Sequence, residues 1–224
     1  MIDVPYQPAE RRPLTSRDAH AARRLAAWLI ARNVSANVVS LSSIGFAALA
    51  ALCLVEVRTA TSIGSRILLL LAALFVQLRL LANLLDGMIA VGSKSASPVG
   101  ELYNEVPDRV ADILILIAAG FASGTPALGY QAAVVALITA YLRALGNSVG
   151  VRGLFAGPMA KPQRMATITA ACFYCACAPA DWPGALGSGA PAGIVVALAV
   201  IIAGGIVTSL RRLRLIAIEL RGTR

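Results

Sequence analysis

Several apolar runs of about 20 residues limit what this chain can fold into. A run of that length is what an α-helix needs to cross the hydrocarbon core of a bilayer. Of the 224 residues, 58% are hydrophobic and only 14% are charged. The sequence therefore predicts an all-α integral membrane protein with six transmembrane helices, which are expected at about 38–57, 67–91, 105–122, 128–149, 165–178 and 193–210.

The breaks between these runs set the predicted boundaries. A short loop is expected at 58–66 and a basic tail after Leu210. The third span is expected to begin near Glu105 or Pro107, because proline is tolerated in the first turn of a helix. A turn-rich link from Gly92 to Val99 precedes it.

The N-terminal segment has a different pattern from the apolar runs. Residues 15–32 predict an amphipathic helix, whose apolar stripe carries Ala22, Leu25, Ala26, Leu29 and Ile30. Its other face is rich in arginine, which is typical of a helix that lies in the membrane interface. The alternative is a plain soluble first helix. We divide the chain into residues 1–35, the tail and interfacial helix, and 36–224, the membrane domain.

The formal net charge of +9 indicates the orientation of the chain. Most lysines and arginines lie in the N-terminal segment, the 92–104 and 150–164 loops and the C-terminal tail, although Arg58 and Arg66 are exceptions. By the positive-inside rule, both termini face the cytoplasm. The prediction is a multi-pass protein of the inner cell membrane. In so apolar a chain, this positive charge is explained by membrane topology and by attraction to anionic lipid. Nucleic acid is therefore not expected as a partner.

An acidic motif begins within the end of the second predicted span and continues into the third. Asn83, Asp86, Gly87 and Ala90 share one helix face, and Gly100, Asn104 and Asp108 share a face of the next helix. Oxygen-bearing side chains suit Mg²⁺, which is usually held by one or two carboxylates together with substrate phosphates. Glycines on the same faces would let a nucleotide approach closely. The alternative is a helix end with solvated acids.

Two arginines lie within the predicted spans and are candidate phosphate ligands. Arg79 lies on the face of Asn83 and Asp86, and Arg143 lies in the fourth span. Intramembrane arginines normally face a partner or a polar cavity, so these two are predicted to bind phosphate. The alternative is a structural ion pair with Asp86 or Asp112. Lys161 and Arg164, in a basic loop, could bind phosphate or reflect only the positive-inside bias.

The motif and the predicted topology resemble the CDP-alcohol phosphotransferase family. Its signature is D-x2-D-G-x2-A-R-x8-G-x3-D-x3-D, and the spacing is intact here. Five of the eight fixed positions match, namely Asp86, Gly87, Ala90, Gly100 and Asp108. Three depart, because Asn83, Val91 and Asn104 stand where Asp, Arg and Asp are expected. Asn37, Tyr141-Leu-Arg143-Ala144 and the Lys161/Arg164 loop also resemble the family.

The resemblance implies a phosphatidyltransferase of phospholipid synthesis that transfers a phosphatidyl group from CDP-diacylglycerol to an acceptor hydroxyl and releases CMP. It implies Mg²⁺ or Mn²⁺ as cofactor, membrane lipid as partner and a homodimer. Asp108 would be the general base, and the metal ligands would be Asp86, Asn83, Asn104 and Asp108. The nucleotide would lie against Asn37, Gly87, Ala90 and Gly100. Phosphate and acceptor would be bound by Arg79, Arg109, Arg143, Arg152, Lys161 and Arg164.

Several alternatives stay open at this point. A degenerate member could bind nucleotide or lipid without turnover, since two aspartates are replaced by asparagine. A small transporter would also fit the helix count. The donor could be a soluble CDP-alcohol, and the acceptor glycerol 3-phosphate, inositol phosphate, serine or a second lipid. Glu101 or Glu105 could replace part of the missing charge.

Overall fold

The computed structural model describes residues 20–93, 98–151, 153–154, 157–179, 182–184 and 191–222. Within these ranges all regular structure is helical. The helices are α1 His20–Ala31, α2 Ala36–Glu56, α3 Ser62–Gly92, α4 Pro98–Ala122, α5 Pro126–Ser148, α6 Lys161–Cys177 and α7 Ala192–Gly222. The all-helical fold class is therefore as predicted.

The turns before α2 and α5 contain the residues that such turns require. Asn33 has φ 55° between α1 and α2, a left-handed conformation that asparagine tolerates better than most residues. Gly124 has φ 73° after α4, where a side chain would be strained. Pro126 then opens α5, in the first turn, where its missing N–H costs no hydrogen bond.

Four of the described helices are long and apolar enough to cross a membrane, namely α2, α3, α5 and α7. The other two predicted spans correspond to α4 and α6. The first half of α4 carries several charged residues, and α6 has only 17 residues. Six crossings therefore stay a prediction, as does the interfacial position of α1, whose predicted residues 15–19 lie outside the described ranges.

Four of the predicted helix boundaries were wrong. Helix α6 begins at Lys161, inside the expected 150–164 loop, so Lys161 and Arg164 belong to a helix. Helix α3 begins at Ser62, inside the expected 58–66 loop. Helix α4 begins at Pro98 and contains Pro107, so the expected start near Glu105 was too late. A proline inside a helix removes one backbone hydrogen bond but need not end the helix where the flanking residues pack. Helix α7 runs to Gly222 instead of ending near Leu210.

The chain divides into two compact units. The first comprises the described residues up to 46 and those from 78 to 111. Its apolar core joins α1, the start of α2 and the end of α3, through Ala26, Val39, Ala82, Leu85 and Ile89. This core holds the polar half of α3 in place.

The second unit comprises residues 47–77 and the described residues from 112 onwards. In it α5 and α6 both pack on α7. Helices α4 and α5 approach closely at two glycines, because a Cβ added to Gly120 would lie 2.8 Å from the Cα of Gly129. Small residues at such crossings are typical of helices that pack within membranes.

Candidate active site

Asp86 is a buried carboxylate of α3 in the first unit, with a relative exposure of 3%. Its Oδ2 atom accepts a hydrogen bond from the hydroxyl of Ser40 on α2. Hydrogen bonds to a charged group are stronger than those between neutral groups. Ser40 therefore orients a carboxylate that the family resemblance implies is one of the metal ligands.

Asp108 is the second buried carboxylate of the first unit, with a relative exposure of 6%. Arg79, which is completely buried in α3, donates through Nη2 to Asp108 Oδ1 at 3.3 Å. The same nitrogen donates to the main-chain oxygen of Asp108 at 3.1 Å. The structure thus gives Arg79 a carboxylate partner on α4. Its predicted role as a phosphate ligand stays a prediction.

The remaining described charges near the motif form a more exposed pair. Arg109 donates to the carboxylate of Glu105, one helical turn earlier on α4. The Glu105 side chain is 50% exposed, and ion pairs with this degree of exposure add little stability. Because Arg109 already offsets its charge, Glu105 is poorly suited to replace the charge missing at Asn83 and Asn104. The side chain of Glu101 lies outside the described part of the chain.

The predicted nucleotide face consists of half-buried small residues on α3 and α4. Gly87, Ala90 and Gly100 are half-buried, as is Asn83. A Cβ added to Gly87 would meet no atom of the described residues within 4 Å, so there is space beside this backbone. Such space is what the sequence analysis required for a ligand to approach.

The predicted site also includes two further asparagines, Asn37 and Asn104. Asn37 is exposed in the first turn of α2, three residues before Ser40 and therefore on the same face. Asn104 belongs to α4, but its side chain lies outside the described part of the structure. The assignment of both residues to the site stays a prediction.

The predicted phosphate ligands of the second unit occupy different environments. Arg164 is buried in α6 and donates through Nη2 to Asp112 Oδ2 at 2.6 Å. Its Nη1 donates to Thr139 Oγ1 at 3.2 Å. Arg143 and Lys161 are half-buried, and Arg152 lies outside the described residues. Arg164 therefore has protein acceptors, and phosphate binding by these residues stays a prediction.

Two buried polar residues, one in each unit, were missed by sequence reasoning. Arg212, which was assigned to a basic tail, is 5% exposed on α7 and donates to the main-chain oxygen of Thr139. A usable signal was present, because Thr208, Arg212 and Ile216 recur every four residues and therefore share one helix face. All three are buried. Ser40 was missed in the first unit, although it shares a face with Asn37.

The first unit offers a few oxygen ligands of the kind that a hard divalent cation prefers. Asp86 and Asp108 supply buried carboxylates, and asparagine at position 83 can add a neutral oxygen. In the described part of the chain no group of three or more His, Cys, Asp or Glu side chains could hold a metal ion. One or two carboxylates completed by substrate phosphates is the usual arrangement for Mg²⁺.

The sequence and the structure were each compared with known proteins. No protein-family model matches the sequence, and no curated protein matches it. The structure nevertheless has the same fold as solved structures of a phosphatidylinositol phosphate synthase. The matching solved structures include phosphatidylinositol phosphate synthase (PgsA1) of Mycobacterium tuberculosis in three states.

The three solved structures agree closely in their similarity to this chain. The complex with manganese and citrate has a TM-score of 0.70 and 17% sequence identity, and the match covers 87% of this chain and 88% of the other. The complex with CDP-DAG has a TM-score of 0.69 and 18% identity, over 88% and 94% of the two chains. The apo form has a TM-score of 0.68 and 17% identity, over 86% and 94%. At this identity the likeness establishes the fold.

Proposed function

We propose that this chain is a CDP-alcohol phosphotransferase that transfers a phosphatidyl group from CDP-diacylglycerol to an alcohol. One observation carries the proposal: Asp86 and Asp108, at the spacing of the family signature, are both buried and hydrogen-bonded within one compact unit. Solvated acids at a helix end would not need such partners. The same fold with CDP-DAG bound, in a protein of 18% identity, supports the choice of donor.

The reaction assigns a separate task to each carboxylate. Asp108 accepts the proton of the acceptor hydroxyl, whose oxygen then bonds to the phosphorus remote from the cytidine. The bond from that phosphorus to the CMP oxygen breaks, and its electron pair leaves with CMP. Arg79 fixes the orientation of Asp108. Asp86, held by Ser40, is the principal ligand of Mg²⁺ or Mn²⁺, which when bound would neutralise the charge of the donor's diphosphate.

The other predicted residues complete the two substrate sites. Asn83 and Asn104 add carbonyl oxygens to the metal site. The cytidine lies beside the half-buried backbone of α3 and α4, against Asn37, Gly87, Ala90 and Gly100. We propose a phosphate-binding role for Arg109 in the first unit and, separately, for Arg143, Arg152, Lys161 and Arg164. Their charge suggests that the acceptor is a phosphorylated alcohol.

The membrane setting follows from the apolar helices and from the distribution of charge. Four helices can cross a bilayer by length and composition, and we propose that α4 and α6 cross with them. Both termini and the carboxylates would face the cytoplasm, and the chain would lie in the inner cell membrane. We further propose that two chains form a homodimer, by analogy with the family.

A non-catalytic relative that binds nucleotide or lipid is the second candidate. It is favoured by Asn83 and Asn104, because each provides an oxygen without a charge. The pairing of Asp108 with Arg79 reduces the negative charge further. Substitutions at the two asparagines distinguish this candidate from a working enzyme.

If Asn83 and Asn104 are ligands of a working site, replacement by Asp should be tolerated because the oxygen is kept. Replacement by Leu removes the oxygen and should lower the rate of CMP release by about tenfold or more, a loss of the size that disturbed metal sites suffer. The measurement is CMP release by each purified single variant. Equal rates for the wild type and Asn104→Leu would favour the non-catalytic relative.

Metal binding should depend on the nucleotide. Two carboxylates, one of them paired with a guanidinium, hold a divalent cation weakly until the donor's diphosphate adds its charge. Calorimetry should therefore detect little Mg²⁺ binding to the protein alone and clear binding in the presence of CDP. Tight binding of two Mg²⁺ ions without any nucleotide would contradict this explanation.

The acceptor can be identified in cells. Lipid mass spectrometry of cells with and without this chain should show one class of phosphatidyl lipid that depends on it. The same class should stay absent when the only copy carries Asp108→Asn, which keeps the shape of the side chain but cannot accept the proton. Unchanged lipid classes in all three strains would count against the proposed function.

A further inference from the structure

We propose that the guanidinium of Arg79 acts as a built-in cation of the metal site and limits the site to one divalent ion per chain. The inference rests on the proposed function, because it concerns the same two carboxylates. It assigns Arg79 a role other than phosphate binding: the guanidinium holds Asp108 and supplies the positive charge that a second metal ion would otherwise bring.

The position of Arg79 is the first support for this role. The residue is completely buried in α3, and one of its nitrogens reaches both the carboxylate and the main-chain oxygen of Asp108. Two acceptors on one residue hold the guanidinium in a defined place. An arginine side chain keeps its proton in proteins, so the positive charge beside Asp108 is permanent.

The second support is the charge of the first unit. Its described buried ionisable side chains are Asp86, Asp108 and Arg79, which together carry a net charge of minus one. Asn83 and Asn104 contribute no charge, and Arg109 offsets Glu105. One divalent ion is therefore enough to make the site net positive before any donor binds.

The geometry determines where that single ion can lie. A metal ion on Asp108 Oδ1 would approach a guanidinium nitrogen that is already 3.3 Å from this oxygen, and the two positive charges would repel each other. Asp86 accepts a hydrogen bond from the hydroxyl of Ser40, a neutral group. We therefore assign the single ion to the Asp86 side and Arg79 to the Asp108 side.

The test is a count of bound Mn²⁺ by electron paramagnetic resonance of the free ion. The purified full chain in detergent, titrated with Mn²⁺ at saturating CDP, should bind one ion. Arg79→Gln keeps hydrogen-bond donors but removes the charge, so its Mn²⁺ affinity should rise by about tenfold or more, and a second ion should bind. Arg79→Lys keeps the charge and should still bind one ion.

Arg66→Gln is the matched control. Arg66 lies in the same helix and donates to the main-chain oxygens of Ala176 at 2.6 Å and Ala178 at 3.2 Å, so it takes no part in the carboxylate pair. Its Mn²⁺ binding should equal that of the wild type. Unchanged affinity in a folded Arg79→Gln variant would overturn the proposal.

The count on the wild type decides the matter even if Arg79→Gln does not fold. Two ions per chain, or none, in the presence of CDP would overturn the proposal. The outcome is separate from that of the proposed function, because CDP is not turned over in the titration. A chain that releases no CMP but binds one Mn²⁺ would contradict the transferase and leave the role of Arg79 intact.

Discussion

Asp108→Asn should lower the rate of CMP release by about 10²- to 10⁴-fold, which is the range that a positioned general base contributes. The amide has nearly the same shape as the carboxylate but cannot take the proton of the acceptor hydroxyl. Arg79 can still donate to the main-chain oxygen of residue 108, so the local fold should persist. The measurement is CMP release from CDP-diacylglycerol with Mn²⁺ and a mixture of acceptor alcohols.

Glu56→Gln is the control for this exchange of carboxylate for amide. Glu56 is exposed at the end of α2 and belongs to neither the motif nor a buried ion pair. Its rate of CMP release should stay within about twofold of the wild type, as expected for an exposed surface position. An Asp108→Asn variant that keeps more than half of the wild-type rate would remove Asp108 from the role of base.

Arg164→Met should lower the free energy of unfolding by about 3–5 kcal/mol, the usual cost of removing one partner of a buried ion pair. Asp112, which accepts from Arg164 at 2.6 Å, would lose this partner while it is only 2% exposed. The hydrogen bond from Arg164 to Thr139 would also be lost. The change is measured by reversible unfolding of the purified protein in mixed detergent micelles.

Two further variants test the ion-pair explanation. Arg211→Met removes an exposed arginine of α7 and should change the unfolding free energy by less than about 0.5 kcal/mol. The double variant Arg164→Met/Asp112→Leu removes both charges, so it should be more stable than Arg164→Met alone. If the double variant is the less stable of the two, the buried charge of Asp112 is not the cause of the loss.

Much of the fold could be predicted because apolar runs of this length have few alternatives. Helix α5 begins and ends within two residues of its predicted range. The errors lie where polar and apolar residues mix. The end of α7 was missed because its arginines were read as a tail, although Ile216 is buried against Val151 and Leu154. The start of α4 was missed because Pro107 was expected to begin a helix, and it lies inside one.

The candidate site could be predicted only as far as spacing along one helix allows. Spacing placed Asp86 and Asp108 in the motif, and both are buried. Spacing could not identify partners on other helices. It shows which residues of one helix share a face, but not which residues of another helix pack against that face. The bond from Ser40 to Asp86 and the pairing of Arg79 with Asp108 are of this kind. A polar residue in an apolar run, such as Ser40, was the available signal.

The most direct test of the central claim is the balance of products formed by the purified wild-type chain. The protein is incubated with CDP-diacylglycerol, Mn²⁺ and one acceptor at a time, chosen from glycerol 3-phosphate, inositol phosphate, serine and a second lipid. CMP and the phosphatidyl product are quantified together by mass spectrometry. A CDP-alcohol phosphotransferase should form CMP and one phosphatidyl alcohol in equal amounts with at least one acceptor. CMP no higher than that of Asp108→Asn with every acceptor would contradict it.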